Sequence, residues 1–133
     1  MRGRVESVGA LALGLVLGGC PSASPEKSEA AALSRAVNSL READNAKKRD
    51  FVSALRETPC TAADICAVRS ECLAAYELHV DVLARMNGAL GKNQVAAEDV
   101  AALEQMKKDL ARSRDLAKHC TDAQGEMIRR YKL

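Results

Sequence analysis

Ile65, Val68, Cys72, Ala75, Tyr76, His79, Val82, Leu83, Met86 and Leu90 recur three and four residues apart in one uninterrupted stretch. Only a helix gathers residues so spaced onto one side of the chain. Leu73 and Val80 widen the stripe, so this helix should touch neighbours on two sides. It is predicted to start near Thr61 and to run to about Leu90, with Gly88 and Gly91 marking its end. Thr61 and Asp64 have capping-box spacing, with aspartate in place of the usual glutamate. At about 29 residues the helix would span roughly 43 Å.

Two further helices follow from the same pattern. The stretch from Glu26 to Glu57 contains no glycine or proline. Its apolar residues Leu33, Val37, Leu40, Ala43, Phe51 and Leu55 share one helical face. Lys47, Lys48, Arg49 and Asp50 interrupt that stripe and read as a solvated face or a slight bend, with Asp44 and Lys48 paired one turn apart. Pro59 ends the helix. The last helix is expected to start near Ala97, where Glu98 and Asp99 suit its positive end. Val100, Leu103, Met106, Leu110, Ala117, Cys120 and Met127 repeat at helical spacing, and Gly125 is expected to fray or bend the end before Ile128 and Tyr131. Glu104–Lys108 and Glu126–Arg130 are further one-turn pairs. No alternation of β-branched residues suggests a strand. The short linkers at Thr58–Cys60 and Gly91–Ala96 place consecutive helices antiparallel and adjacent. The expected fold is therefore all-α: an antiparallel three-helix bundle with long helices. A hairpin with the first helix loosely attached is the alternative.

The start of the chain has a different character. Arg2 and Arg4 precede an apolar run of ten residues, Val8 to Leu17. That is the layout of an export signal, and it is too short for a spanning helix, which needs about 20 residues. Leu17-Gly18-Gly19-Cys20 closes the run and resembles the lipobox of bacterial lipoproteins. The resemblance implies a signal peptide over residues 1–19 and a mature chain that begins at Cys20. The cysteine sulfur would carry a diacylglycerol and the new amine a further acyl chain such as palmitate, enough for stable anchoring. Pro21-Ser22-Ala23-Ser24-Pro25 then forms a proline-bracketed tether within residues 20–26, reaching under about 20 Å. Residues 27–133 form the helical domain. In lipoproteins of enteric bacteria an aspartate after the cysteine retains the protein in the inner membrane. Pro21 stands there, so the resemblance implies the outer membrane over the inner.

Export changes how the other cysteines read. Cys60, Cys66, Cys72 and Cys120 are an even set, which in an oxidising compartment points to two disulfides. Cys66–Cys72 is excluded, because six residues of one helix separate the two by about 9 Å, and a bridge needs Cα atoms within roughly 7 Å. Cys60–Cys66 with Cys72–Cys120 places the second pair on facing core stripes and is preferred. Cys60–Cys72 with Cys66–Cys120 fits the hairpin level and stays open. Either staples the second and third long helices across about 50 residues, contributing roughly 2–4 kcal/mol.

Composition narrows the function. Lys and Arg number 20 against 18 Asp and Glu, and Arg2, Arg4 and Glu6 leave with the signal. Such a near-neutral chain offers no footprint for nucleic acid. Phe51, Tyr76 and Tyr131 are the only aromatics, which disfavours sugar or nucleotide stacking. Cys60-x5-Cys66-x5-Cys72 lacks zinc-site spacing, no C-x-x-C pair occurs, and His79 reads as a half-buried, satisfied histidine rather than a ligand. His119 lies beside Cys120 but points elsewhere. Glu71, Glu77, Asp81, Glu98 and Asp99 are spread over solvent faces, and no phosphate loop, H-E-x-x-H or calcium loop is present. The expectation is no enzyme, cofactor, metal or small-molecule substrate. The chain reads as a lipid-anchored, periplasm-facing envelope protein with a structural or protein-interaction role. A thiol- or metal-responsive sensor and a helical periplasmic chaperone are the alternatives.

Overall fold

Pro25 opens the first helix, as its fixed φ and missing N–H suit that position. The Ser24 hydroxyl accepts the Lys27 N–H at 3.2 Å and caps the turn. The computed structural model describes residues 23–91 and 97–133. The expected signal peptide, Cys20 and the beginning of the tether lie outside the described residues. Four helices follow: α1 Pro25–Glu42, α2 Lys48–Glu57, α3 Ala63–Leu90 and α4 Ala97–Tyr131. Among the described residues there is no strand, and no helix is long and apolar enough to cross a membrane.

The expected three helices are thus four, because the first stretch breaks after Glu42. Ala43 turns to an extended conformation. Lys48, expected on a solvated face, is instead 8% exposed. Its ammonium donates to the carbonyls of Leu40 at 3.1 Å, Arg41 at 3.2 Å and Ala43 at 2.6 Å. These are carbonyls that a helix end leaves open, and a cation suits that negative end. Lys48 therefore does not pair with Asp44 as expected. Asp44 contributes its backbone carbonyl, which accepts the N–H groups of Lys47 and Lys48. α1 begins at Pro25, one residue before the expected start near Glu26.

α3 and α4 pair in opposite directions. Cys72 is bonded to Cys120, Arg85 to Asp109 and Asp64 to Arg130, which fixes their register. On α4, Met106, Ser113, Cys120 and Met127 are buried at seven-residue intervals. On α3, Ile65, Val68, Cys72, Ala75 and Val82 are buried in the matching stripe. This three-and-four repeat is the seam of a two-helix coil. α4 passes through Gly125 without a break, contrary to the expected fraying. Packing of Met127 and Tyr131 against the core holds the last turns in place.

α1 packs against the half of this hairpin away from its tip, and α2 with the turn before it runs along α3 as far as Val80, Leu83 and Asn87. Leu33, Val37, Leu40 and Leu55 are wholly buried against Ile65, Cys72 and Cys120. Each buried leucine contributes up to about 2–3 kcal/mol of transfer free energy. α1 is clasped to α4 by Gln124, whose amide donates to the Ser34 carbonyl at 3.2 Å, the Ser34 hydroxyl at 3.1 Å and Asn38 at 3.0 Å. Its oxygen accepts from Arg41 at 2.7 Å. α2 is tied to α3 by Arg56–Glu77 at 2.7 Å.

Candidate functional site

The α2–α3 corner carries the densest chemistry of the described residues. Pro59 stops α2 from continuing, and the chain turns through Thr58–Ala62 into α3. Cys60 and Cys66 are bonded there with Cα atoms 5.4 Å apart. Cys72 and Cys120 are joined with Cα atoms 4.7 Å apart. The structure therefore has the first of the two pairings left open by sequence. Helix geometry explains it: Cys66 lies in the first turn of α3, within reach of a chain folding back, whereas Cys72 faces α4.

The predicted Thr61–Asp64 capping box does not form. α3 begins with Ala62 at its cap position and no side-chain cap. A carboxylate from another helix takes over. Glu29 of α1 accepts the Thr61 N–H at 2.9 Å and the Thr61 hydroxyl at 2.7 Å, and reaches the Ala62 N–H at 3.5 Å. These bonds hold the Glu29 carboxyl below its ordinary range, with the Thr61 N–H the largest cause. Asp64 instead accepts from Arg130 at 2.6 Å and from the Tyr131 hydroxyl at 3.0 Å. The Arg130 bond is the main reason its carboxyl is lowered, and burial opposes it. Arg130 thus joins α3 rather than Glu126. On the other flank, Arg69 Nη1 donates to the Thr58 carbonyl at 2.7 Å.

A second polar level lies two turns from the buried disulfide on each helix of the hairpin, where the register sets His79 of α3 and Ser113 of α4 at the same height. The Ser113 hydroxyl donates to the Leu110 carbonyl at 2.8 Å. His79 is half-buried as expected but is not satisfied: its Nε2 is buried without a partner, as is Arg69 Nε. Burial lowers the His79 pKa, and the charges of Lys48 and Arg114 lower it further. Periodicity had already placed His79 on the core stripe. The nearby charge of Lys48 was not visible, because it depends on where α1 stops.

His119 is exposed. Among the described residues no three of His, Cys, Asp and Glu gather into a metal-sized cluster. Glu71, Glu77 and Asp81 are exposed, and Glu77 is engaged by Arg56. At the hairpin tip Leu90 is 72% exposed and Val100 is 54% exposed. Beside them Gly88, Ala89, Ala102 and Met106 line an open groove of about 470 Å³. No protein-family model matches this chain, and no curated protein and no solved structure shows significant similarity to it.

Proposed function

We propose that this chain is a lipid-anchored, non-enzymatic protein of the bacterial cell envelope, held to the membrane through Cys20 and acting by contact of its helix faces with another envelope protein. Cysteine usage carries the reading. All four cysteines of the helical part are bonded in pairs, and Cys20 is the one left over. Paired cysteines of this kind belong to compartments outside the reducing cytosol. A single cysteine behind an export-like apolar run is then the position at which a lipoprotein is acylated.

The helical part suits such a role. A helical bundle stapled across its longest helices is a rigid body to dock against, and the tip offers Leu90 and Val100 to a partner. Only a short stretch separates Cys20 from α1, so the bundle would stand close to the bilayer, with the outer membrane as its place. The test is fractionation of cells expressing the full chain or its Cys20→Ala variant. The wild-type protein should sediment with outer membranes and be released by detergent but not by salt. The variant should leave the outer-membrane fraction. A variant that still sediments with outer membranes, or a wild-type protein recovered from the cytosol, would overturn the proposal.

A further inference from the structure

The two disulfides sit in opposite surroundings. Cys72 and Cys120 are both wholly buried in the α3–α4 seam. An attacking thiolate reaches them only if the two longest helices part. Cys60 and Cys66 are half-buried at the corner, beside the exposed Pro59 and Thr61.

That corner is also fastened without sulfur. Glu29 binds the backbone and hydroxyl of Thr61, and Arg69 holds the Thr58 carbonyl. Opening the outer disulfide would leave these bonds in place, so the helices on either side need not move apart.

Electrostatics distinguish the two sulfurs. The Cys66 N–H makes the first backbone bond of α3, to the Ala62 carbonyl at 3.0 Å, so its side chain sits in the first turn. The positive end of a helix stabilises a thiolate. Arg69 lies three residues further on, on the same side of α3, and its guanidinium is already at the corner with Nε buried and unpartnered. Two carboxylates at this end are engaged, Glu29 of α1 by Thr61 and Ala62 and Asp64 by Arg130 and Tyr131 of α4, and Glu57 at the end of α2, nearer Cys60 than Cys66 in the chain, is exposed to water.

We infer that Cys60–Cys66 is a thiol–disulfide exchange site, opened by dithiols while the fold stays intact, whereas Cys72–Cys120 is a sealed crosslink. A thiolate of the dithiol bonds to Cys60 Sγ. The Cys60–Cys66 bond breaks, and its electron pair leaves on Cys66 as a thiolate held by Arg69 and the helix end. The second thiol of the dithiol, having lost its proton to solvent, then displaces Cys60, which takes a proton from water. The dithiol departs as a disulfide, and two electrons have passed to the protein pair. A disulfide-bearing partner reverses the steps and closes the site. This holds for the folded chain whether or not Cys20 carries lipid.

Graded dithiothreitol, quenching with N-ethylmaleimide and peptide mapping by mass spectrometry test the inference, with far-ultraviolet circular dichroism on the same samples. Cys60 and Cys66 should become labelled together, at least about ten times faster than Cys72 and Cys120, with the helical signal unchanged. Labelling of all four together with loss of helicity would overturn the site. In the protein reduced only at this pair, the pH dependence of alkylation should give Cys66 a lower midpoint than Cys60. Arg69→Met should raise the Cys66 midpoint, and Arg69→Lys should restore it. If Arg69→Met does not fold, the wild-type comparison decides alone. A Cys66 midpoint equal to or above that of Cys60, or an unchanged midpoint in a folded Arg69→Met protein, would overturn the leaving-group assignment.

Discussion

Lys48→Met removes one charge and keeps the apolar stem, so it isolates what the ammonium does. That ammonium donates three bonds to the end of α1, the shortest at 2.6 Å to Ala43. A hydrogen bond from a charged donor is worth about 1.5–3 kcal/mol, and stripping a buried carbonyl of its partner costs about 1–3 kcal/mol. The three bonds share one cation and do not add in full. The Leu40 carbonyl is the buried one, while water can reach the outer two once the lysine is gone. The net loss is about 3 kcal/mol, equivalent to a fall in Tm of about 12 °C at this chain length. Urea unfolding of the disulfide-intact protein, followed by circular dichroism, measures it. An NMR titration of His79 supplies a second readout. Lys48 is one cause of the lowered His79 pKa, so the midpoint should rise in the variant. A stability change below about 0.5 kcal/mol, the size expected of an ordinary surface position, would refute the argument that Lys48 terminates α1.

Other consequences follow from the same geometry. Replacing Cys72 and Cys120 together by alanine should cost about 4 kcal/mol in urea unfolding, since their bond closes a loop of 48 residues. Gly125→Ala should raise stability by about 0.5–1 kcal/mol, because a new Cβ would meet only the side-chain Nη1 of Arg129, at 3.7 Å. The lowered pKa of His79 makes the unfolded chain the better proton acceptor, so stability should be level above its ordinary value of 6.5 and fall as pH drops from there toward the folded value. His79→Leu should remove that slope, leaving only the loss below pH 4.5 caused by carboxylates such as Glu29 and Asp64, and a slope that persists would show the wrong group has been named. Glu29→Ala should speed hydrogen exchange at the Thr61 and Ala62 amides while leaving the middle of α3 protected.

The register of α3 and the second half of α4 can be read from the sequence because one physical signal, apolar spacing, governs them. Cys72 on the core stripe of α3 and Cys120 on that of α4 point at each other for that reason, and the buried disulfide follows. The break after Glu42 could not be read in this way. Composition from Glu26 to Glu57 is helical throughout, and the turn exists because Lys48 folds back onto carbonyls five to eight residues earlier. The start of α3 departs from its expected cap for a related reason. Thr61 and Asp64 have cap spacing, but Glu29, more than thirty residues away, takes the corner instead. Gly125 lowers helix propensity locally, and packing of Met127 and Tyr131 overrides it. At the corner, the half-buried state of Cys60–Cys66 and the placement of Arg69 beside it depend on how α1, α2 and α3 meet, which spacing does not encode.

The intact mass of the native protein, extracted from membranes and alkylated without reduction, tests the central claim most directly. The account predicts a chain beginning at Cys20, heavier by its acyl groups, in which Cys72 and Cys120 take up no label. A chain that still begins at Met1, a bare Cys20, or label on Cys72 or Cys120 would contradict it.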